Sequence, residues 1–387
     1  MNEAELLEII KCGETGKVQF KRTFDNQDKI AAEMIAMSNA KGGMIIFGVD
    51  DKTGNAIGLD YSSLQTIGNK VATIANELVK PQVYITTEVI SIEQQKLLIV
   101  HIDEGIAKPY KDNNGTIWMK QGADKRRVTD NDEIMRLFQQ SGKAFVDEMI
   151  IAGTNITDVD KNKVSHYITR ALQDPDDEYE NVPEIILYQN LSIIKNTNLT
   201  LGGLLFFSKK PQKFRPVFCV KAVSFYGNSM GGLNYRDSRD ITGTIPELFR
   251  ESMLFFKGNL RHEQKGQDFN STGILEISEI ALEEMIQNAL IHRDYTQNAP
   301  VRLMVFDNRI EIISPGVLPN NLTVEKIKFG TAIMRNHLLA SYASKLIKYR
   351  GFGTGIIRAL KEQPDIEFIN DENRNQFIVK IPRKPML

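Results

Sequence analysis

The thirteen residues from Glu283 to Tyr295, Glu-Glu-Met-Ile-Gln-Asn-Ala-Leu-Ile-His-Arg-Asp-Tyr, constrain this chain more than any other stretch. Together with Ile280 and Ala281, the apolar positions Met285, Ala289 and Leu290 recur at helical spacing and can pack underneath. The same spacing sets Glu284 and Asn288 four residues apart, on one helix face. A carboxylate beside an amide oxygen suits activation of a water and the holding of a hard cation such as Mg²⁺. Farther on, Gly351-Phe352-Gly353-Thr354-Gly355-Ile356 reads as a glycine-rich turn that opens a helix. Such a turn offers free backbone N–H groups to phosphate. A cation-holding helix followed by a phosphate-cradling turn points to a nucleotide site. Taken singly, each has a plainer reading: a chance pair on a helix, and a turn packed tightly on its neighbour.

The 387 residues allow two or three domains with large cores. A net charge of −1 gives no global pull toward nucleic acid or membrane, so any nucleic-acid surface must be a local basic patch. Cys12 and Cys219 lack metal-ligand spacing and read as buried thiols. The acidic start Met1-Asn2-Glu3-Ala4-Glu5 lacks the apolar segment of a signal peptide, and no apolar run reaches membrane-spanning length. The expectation is a cytoplasmic protein with no membrane partner.

Three regions follow from the patterning: 1–140, a helical connector over 141–200, and 201–387. In the first, Asp28–Asn39 is a helix ended by Lys41-Gly42-Gly43, and Met44–Val49 a buried strand. A helix over Leu64–Leu78, strands over Tyr84–Ile90 and Lys96–Ile102, a short strand holding Trp118 and a helix over 131–140 complete it. In the connector, helical patterns flank Asp174-Pro175-Asp176-Asp177-Glu178-Tyr179-Glu180, which reads as a solvated acidic loop. In the third region, Gly202–Ser208 and Pro216–Tyr226 are expected as strands and Ile245–Phe256 as a helix. A hairpin over Val301–Phe306 and Arg309–Ser314, helices over Asn336–Leu346 and Gly355–Glu362, and a strand over Asn375–Ile381 follow.

Two nucleotide motifs are excluded. Gly13-Glu14-Thr15-Gly16-Lys17 has Val18 where a Walker loop needs Ser or Thr, and Lys11 at the first glycine. The turn at 351–355 lacks the last gap of the dinucleotide fingerprint. His292, one turn past Asn288, suits either phosphate contact or a structural hydrogen bond. Arg335 suits either a γ-phosphate clamp or a solvated position.

Four ordered blocks within 280–360 resemble the divergent ATP-binding module of a bacterial transcriptional-regulator family, related to gyrase, Hsp90, histidine kinases and MutL. They are the Glu283–Tyr295 run, Asn308-Arg309-Ile310-Glu311-Ile312-Ile313-Ser314-Pro315-Gly316, Met334-Arg335-Asn336-His337 and Gly353-Thr354-Gly355-Ile356. The resemblance implies ATP and Mg²⁺ as cofactors, Glu284 as the water-activating base and Asn288 as the Mg²⁺ ligand. It puts Gly316 in a first glycine box and Gly353, Thr354 and Gly355 in a second. Where that superfamily reads adenine with an aspartate, this chain has Ser314.

Residues 12–140 resemble the Schlafen AlbA_2 domain. The matching pieces are Glu14–Lys21, Ser38–Asp51 and Lys120-Gln121-Gly122-Ala123. Nuclease members of the wider group hold a divalent metal with three acids, which fall here on Glu14, position 19 and Asp50. Position 19 is Gln19, a neutral and weaker ligand. Lys21, Arg22, Lys120, Lys125, Arg126 and Arg127 offer a phosphate-binding patch for DNA or RNA. The fold expected is α/β (α+β): a mixed AlbA_2-like domain and a two-layer α/β sandwich. The function expected is nucleotide-responsive nucleic-acid binding, as in a regulator or defence component, with weak ATPase activity left open and self-association as a homo-oligomer. The alternatives are an ATP-gated, metal-dependent nuclease and an oligomeric scaffold with degenerate sites.

Overall fold

The structure is a computed structural model and describes residues 1–171, 182–231, 234–264, 273–319, 322–347, 349–351 and 353–384. The acidic loop expected at 174–180 lies outside these residues. The chain divides into two compact units, Met1–Ala144 and Phe145–Leu387. Both mix helices with sheets, so the α/β class read from the sequence holds. Strands of only two residues are left unlabelled below.

The first unit contains α1 (Glu3–Cys12), β1 (Val18–Lys21), α2 (Gln27–Asn39), β2 (Gly43–Phe47) and α3 (Tyr61–Glu77). Then come β3 (Ile85–Ile92), β4 (Gln95–Ile102), β5 (Trp118–Gln121), β6 (Asp124–Arg127) and α4 (Asn131–Gln140). Its main sheet has the order β1-β2-β4-β3, with β1 parallel to β2 and the other pairs antiparallel. The apolar run in β2 is continuous because both faces are covered. Ile45 and Phe47 join a cluster with Ile30 and Met34 of α2, whereas Ile46 faces the cluster of Leu6, Val18 and Phe20. β5 and β6 form a separate hairpin that packs on α2.

The second unit contains α5 (Lys161–Ala171), α6 (Glu184–Asn190), α7 (Leu201–Phe207), β7 (Val220–Phe225), β8 (Tyr235–Ile241), α8 (Ile245–Asn259) and α9 (Glu279–Ile291). It continues with β9 (Val301–Val305), β10 (Arg309–Pro315), α10 (Val324–Lys328), α11 (His337–Leu346), α12 (Thr354–Glu362), β11 (Glu367–Asp371) and β12 (Gln376–Pro382). The six-stranded sheet runs β8-β7-β9-β10-β12-β11, antiparallel except for β7 beside β9. α9 lies in the helical layer against α8, α12 and β10. Its Ala281, Leu282, Met285, Ile286, Leu290 and Ile291 are buried, so it is apolar on most of its circumference. Residues expected as a connector supply this same core: Val146, Ile151, Val159, Val164 and Tyr188 are buried in it.

Residues 202–208, expected as a strand, form the helix α7 instead. A short continuous apolar run cannot by itself distinguish a buried strand from a buried helix. Thr200 decides the matter: its hydroxyl accepts from the Gly203 N–H at 2.9 Å, a helix N-cap. All seven residues of α7 are buried, and Gly203 lies so close to the Ile193 carbonyl that a Cβ there would collide with it. Helix propensity alone would make Gly203→Ala stabilising by up to about 1 kcal/mol. The collision with backbone should reverse the sign and cost about 1–3 kcal/mol. Urea unfolding of the variant checks this; a raised midpoint would refute the close approach.

Candidate functional site

One cleft in the second unit gathers most of the expected nucleotide-site residues. α9 presents Glu284, Asn288 and His292 to it, β10 supplies Ser314, and the chain beyond adds Gly316. Gly353 and Gly355, at the start of α12, complete that rim. The remaining wall is mostly apolar, with Met285, Ile312, Ile327, Phe368, Phe377 and Val379. The empty space measures about 1010 Å³, counted out to its open mouth.

Each of the three glycines has a local reason. Gly316 has φ +100°, and a Cβ there would come within 2.5 Å of the Asp294 side chain. Gly353 caps α12 with φ +73°, and a Cβ would strike the Gly330 carbonyl. A Cβ on Gly355 would occupy the position of the Glu284 carboxylate. The backbone of the second glycine turn therefore lies directly against α9. Such a bare N-terminal turn can approach an anion closely.

Glu284 is buried and its carboxylate is ion-paired with Arg358 of α12. Burial pushes its pKa up, and Arg358 opposes that rise. The Ser314 hydroxyl donates to the Ala289 carbonyl at 3.1 Å. With its proton committed there, that oxygen presents only lone pairs to the cleft. Thr354 is exposed and does not line the cleft. Arg335 is buried and lies behind the wall: it donates to the carbonyls of His292 at 3.3 Å and Val317 at 2.6 Å. It thus ties the end of α9 to the residue after Gly316 and does not line the cleft. Burial acts to raise the pKa of nearby Asp294, but Arg335 and Thr296 outweigh it and hold the carboxyl low.

In the first unit, Glu14 and Gln19 meet directly. A Glu14 carboxylate oxygen accepts from the Phe20 N–H at 2.7 Å and from the Gln19 amide. The Gln19 carbonyl in turn accepts from Lys120 at 3.2 Å. Lys120 also donates to Glu33 at 3.3 Å and to the Ala123 carbonyl, and Lys125 pairs with the other Glu33 oxygen at 2.6 Å. Asp50 is occupied elsewhere. Its Oδ1 accepts from Lys52 N, Thr53 N and Thr53 Oγ1 at 2.9–3.1 Å, bonds that hold its pKa low. Among the described residues, no three His, Cys, Asp or Glu side chains converge on a metal position. One oxygen each of Glu14, Gln19 and Asp50 already accepts from the protein's own N–H, O–H or ammonium groups, and Asp50 is turned to its own loop and not toward the other two.

The basic patch is likewise partly self-satisfied. Arg126 forms a two-pronged pair with Glu133 at 2.6 and 2.9 Å, and the Arg127 guanidinium lies 5.3 Å from the Trp118 ring centre. Lys21 and Arg22 make no ion pair among the described residues. Two participants escaped the sequence reading. Glu33 had a signal, a lone carboxylate in the apolar run Ile30–Met37, because a buried charge demands a partner. Arg358 gave no signal beyond its place one turn into the helix.

His292 meets the Tyr349 hydroxyl at 2.6 Å on the cleft wall. Burial, assisted by the Arg335 charge, lowers its pKa from 6.5 to about 4. The unfolded chain therefore binds the proton first as pH falls. The stability this neutral imidazole provides is present above about pH 6.5 and is lost between there and pH 4. The upper limit is about 3 kcal/mol, reduced because part of the ring meets solvent. His292→Gln should flatten the dependence of Tm on pH across this window relative to wild type. Parallel slopes for the two proteins would remove His292 from the account.

Comparison with known proteins matches three separate segments of the chain to family models. Residues 14–129 match the family model "Schlafen, AlbA_2", and residues 298–381 match "Putative ATP-dependent DNA helicase recG C-terminal", the HATPase_c_4 family. Residues 135–219 match a domain of unknown function, DUF8451. No curated protein matches. Among solved structures, the DIP2311 protein from Corynebacterium diphtheriae is 19% identical, with a TM-score of 0.45, covering 99% of this chain and 80% of that one. The N-terminal domain of a "Putative ATP-dependent DNA Helicase RecG-related Protein" from Nitrosomonas europaea is also 19% identical. Its TM-score is 0.26, and the match covers 34% of this chain and 96% of that one. No helix among the described residues is long and apolar enough to cross a membrane. The chain thus contains a segment similar to the Schlafen AlbA_2 family, followed by one similar to the RecG C-terminal HATPase_c_4 family.

Proposed function

We propose that this protein binds nucleic acid through its first unit and ATP with Mg²⁺ through its second, acting as a nucleotide-responsive regulator or defence component. The observation that carries the reading is the convergence of Glu284, Asn288, Ser314, Gly316, Gly353 and Gly355 on one apolar cleft. The match of the C-terminal segment to a family described as ATP-dependent supports it, as does the resemblance of the Ser-Pro-Gly and Gly-Thr-Gly blocks to those of the gyrase and Hsp90 superfamily.

In this reading the apolar wall takes the base and the glycine turn takes the phosphates. Ser314 accepts a hydrogen bond from an exocyclic amino group, as an aspartate would, but without the negative charge. Asn288 lines the same cleft, and its amide oxygen would hold Mg²⁺, whose role when bound is to neutralise the phosphate charge. Glu284 can orient and deprotonate a water only when Arg358 releases it, so any hydrolysis is slow. Asn288→Ala should abolish the Mg²⁺-dependent part of ATP binding. Glu284→Gln should bind ATP normally and lose hydrolysis. Isothermal calorimetry and a phosphate-release assay read the two effects. Wild-type protein that takes up no ATP at millimolar concentration would sink the reading.

For the first unit the AlbA_2 match, together with Lys21 and Arg22, which make no ion pair among the described residues, supports contact with phosphate. Neutralising phosphates releases counterions, so affinity for DNA or RNA should fall steeply with salt. Lys21→Glu with Arg22→Glu should weaken all sequences about equally, and by more than Arg126→Glu, whose side chain already has Glu133. Anisotropy titrations at several salt concentrations check this; a salt-independent affinity would refute it.

A further inference from the structure

A second cavity of the same unit has a different chemistry. Its empty space is about 1450 Å³, and it lies between α5, α8, α9, the end of α11 and α12. Five cationic side chains line it: Arg170, Arg250, Arg350, Arg358 and Lys361. Three carboxylates oppose them, Glu283, Glu284 and Glu362. Arg250 is partly held by Glu251 and Arg358 by Glu284. Arg170, Arg350 and Lys361 have no ion-pair partner among the described residues. The two cavities share Glu284, Arg350 and Arg358, so these residues form the partition between an apolar cleft and a cationic one.

We propose that this second cavity is a binding site for a phosphate-type oxoanion, held chiefly by Arg350, Arg358, Lys361 and Arg170. Unpaired cations in a concavity raise the local anion concentration, because low-dielectric walls focus their field. Two guanidinium groups on one partition match the tetrahedral oxygens of phosphate in a way that ammonium groups do not. Such an anion competes directly with Glu284 for Arg358. Its arrival leaves the Glu284 carboxylate facing the apolar cleft without its partner. Binding of the anion needs nothing beyond the cavity itself; its effect on Glu284 rests on the nucleotide reading.

The test uses the full chain and orthophosphate as probe, first without nucleotide. Calorimetry should show saturable binding, several-fold weaker in Arg170→Ala and in Lys361→Gln. Neither residue lines the apolar cleft, so ATP affinity should be unchanged in both if the cavity takes free orthophosphate, and lowered in both if it takes the terminal phosphate of a bound nucleotide. Thermal unfolding confirms that the variants are folded, and the two substitutions lie on different helices, so a folding defect in one leaves the other informative. Two sources of the anion are separated by competition. Displacement of phosphate by ATP but not ADP assigns the cavity to the terminal phosphate of a bound nucleotide. Retention of phosphate with both nucleotides bound assigns it to free orthophosphate. Absence of saturable phosphate binding, or equal binding in wild type and both variants, overturns the proposal. Failure of ATP to bind while phosphate does would instead overturn only the nucleotide reading.

Discussion

The packing of α9 into the helical layer governs what the second unit can do. Most of this helix is buried, and it carries Glu284 with it. A buried carboxylate without a partner would cost several kcal/mol. Arg358 supplies the partner from α12, and Gly355, one turn earlier on α12, leaves the room for the contact. The cleft is thus a consequence of how two helices meet. Its apolar wall, its glycine backbone and its polar edge occupy fixed relative positions because the α9–α12 contact is tight.

The first unit solves a similar problem with the opposite sign of surplus. Glu33 enters the core on α2, and two lysines of the β5–β6 hairpin reach in to meet it. Gln19 then bridges Lys120 to Glu14 through both ends of its amide. A carboxylate at position 19 could accept from Lys120 but could not donate to Glu14. The amide is therefore matched to this network, and the ammonium of Lys120 sits among oxygens of three residues where a cation is needed.

Much of this was legible in the sequence, and the gaps have physical causes. The helices α2, α3, α8, α9 and α11 and the hairpin of β9 and β10 follow their periodicity. α7 was misread because its apolar run suits either state and only the Thr200 cap decides. β8, Tyr-Arg-Asp-Ser-Arg-Asp-Ile, has no apolar alternation; it becomes a strand because it closes the sheet edge beside β7. Glu284, Asn288 and the glycines share one cleft, as their motif spacing on a helix face and a turn leads one to expect. Arg335 was placed on the wrong side of its wall by sequence, since nothing in Met-Arg-Asn-His tells whether the guanidinium meets ligand or carbonyl groups. The Lys120 and Lys125 partners lie some ninety residues away, at Glu33, beyond the reach of local pattern.

The contact between Gly355 and Glu284 also couples what the two positions can hold. The hydrogen at Gly355 marks the volume that the carboxylate fills. Substitutions at positions in contact do not combine additively. A Cβ at 355 would push the flexible end of Glu284 out of its place beside Arg358, while a shorter acid at 284 would leave room for alanine or serine opposite it. What residue 355 can be thus depends on how far the side chain at 284 reaches.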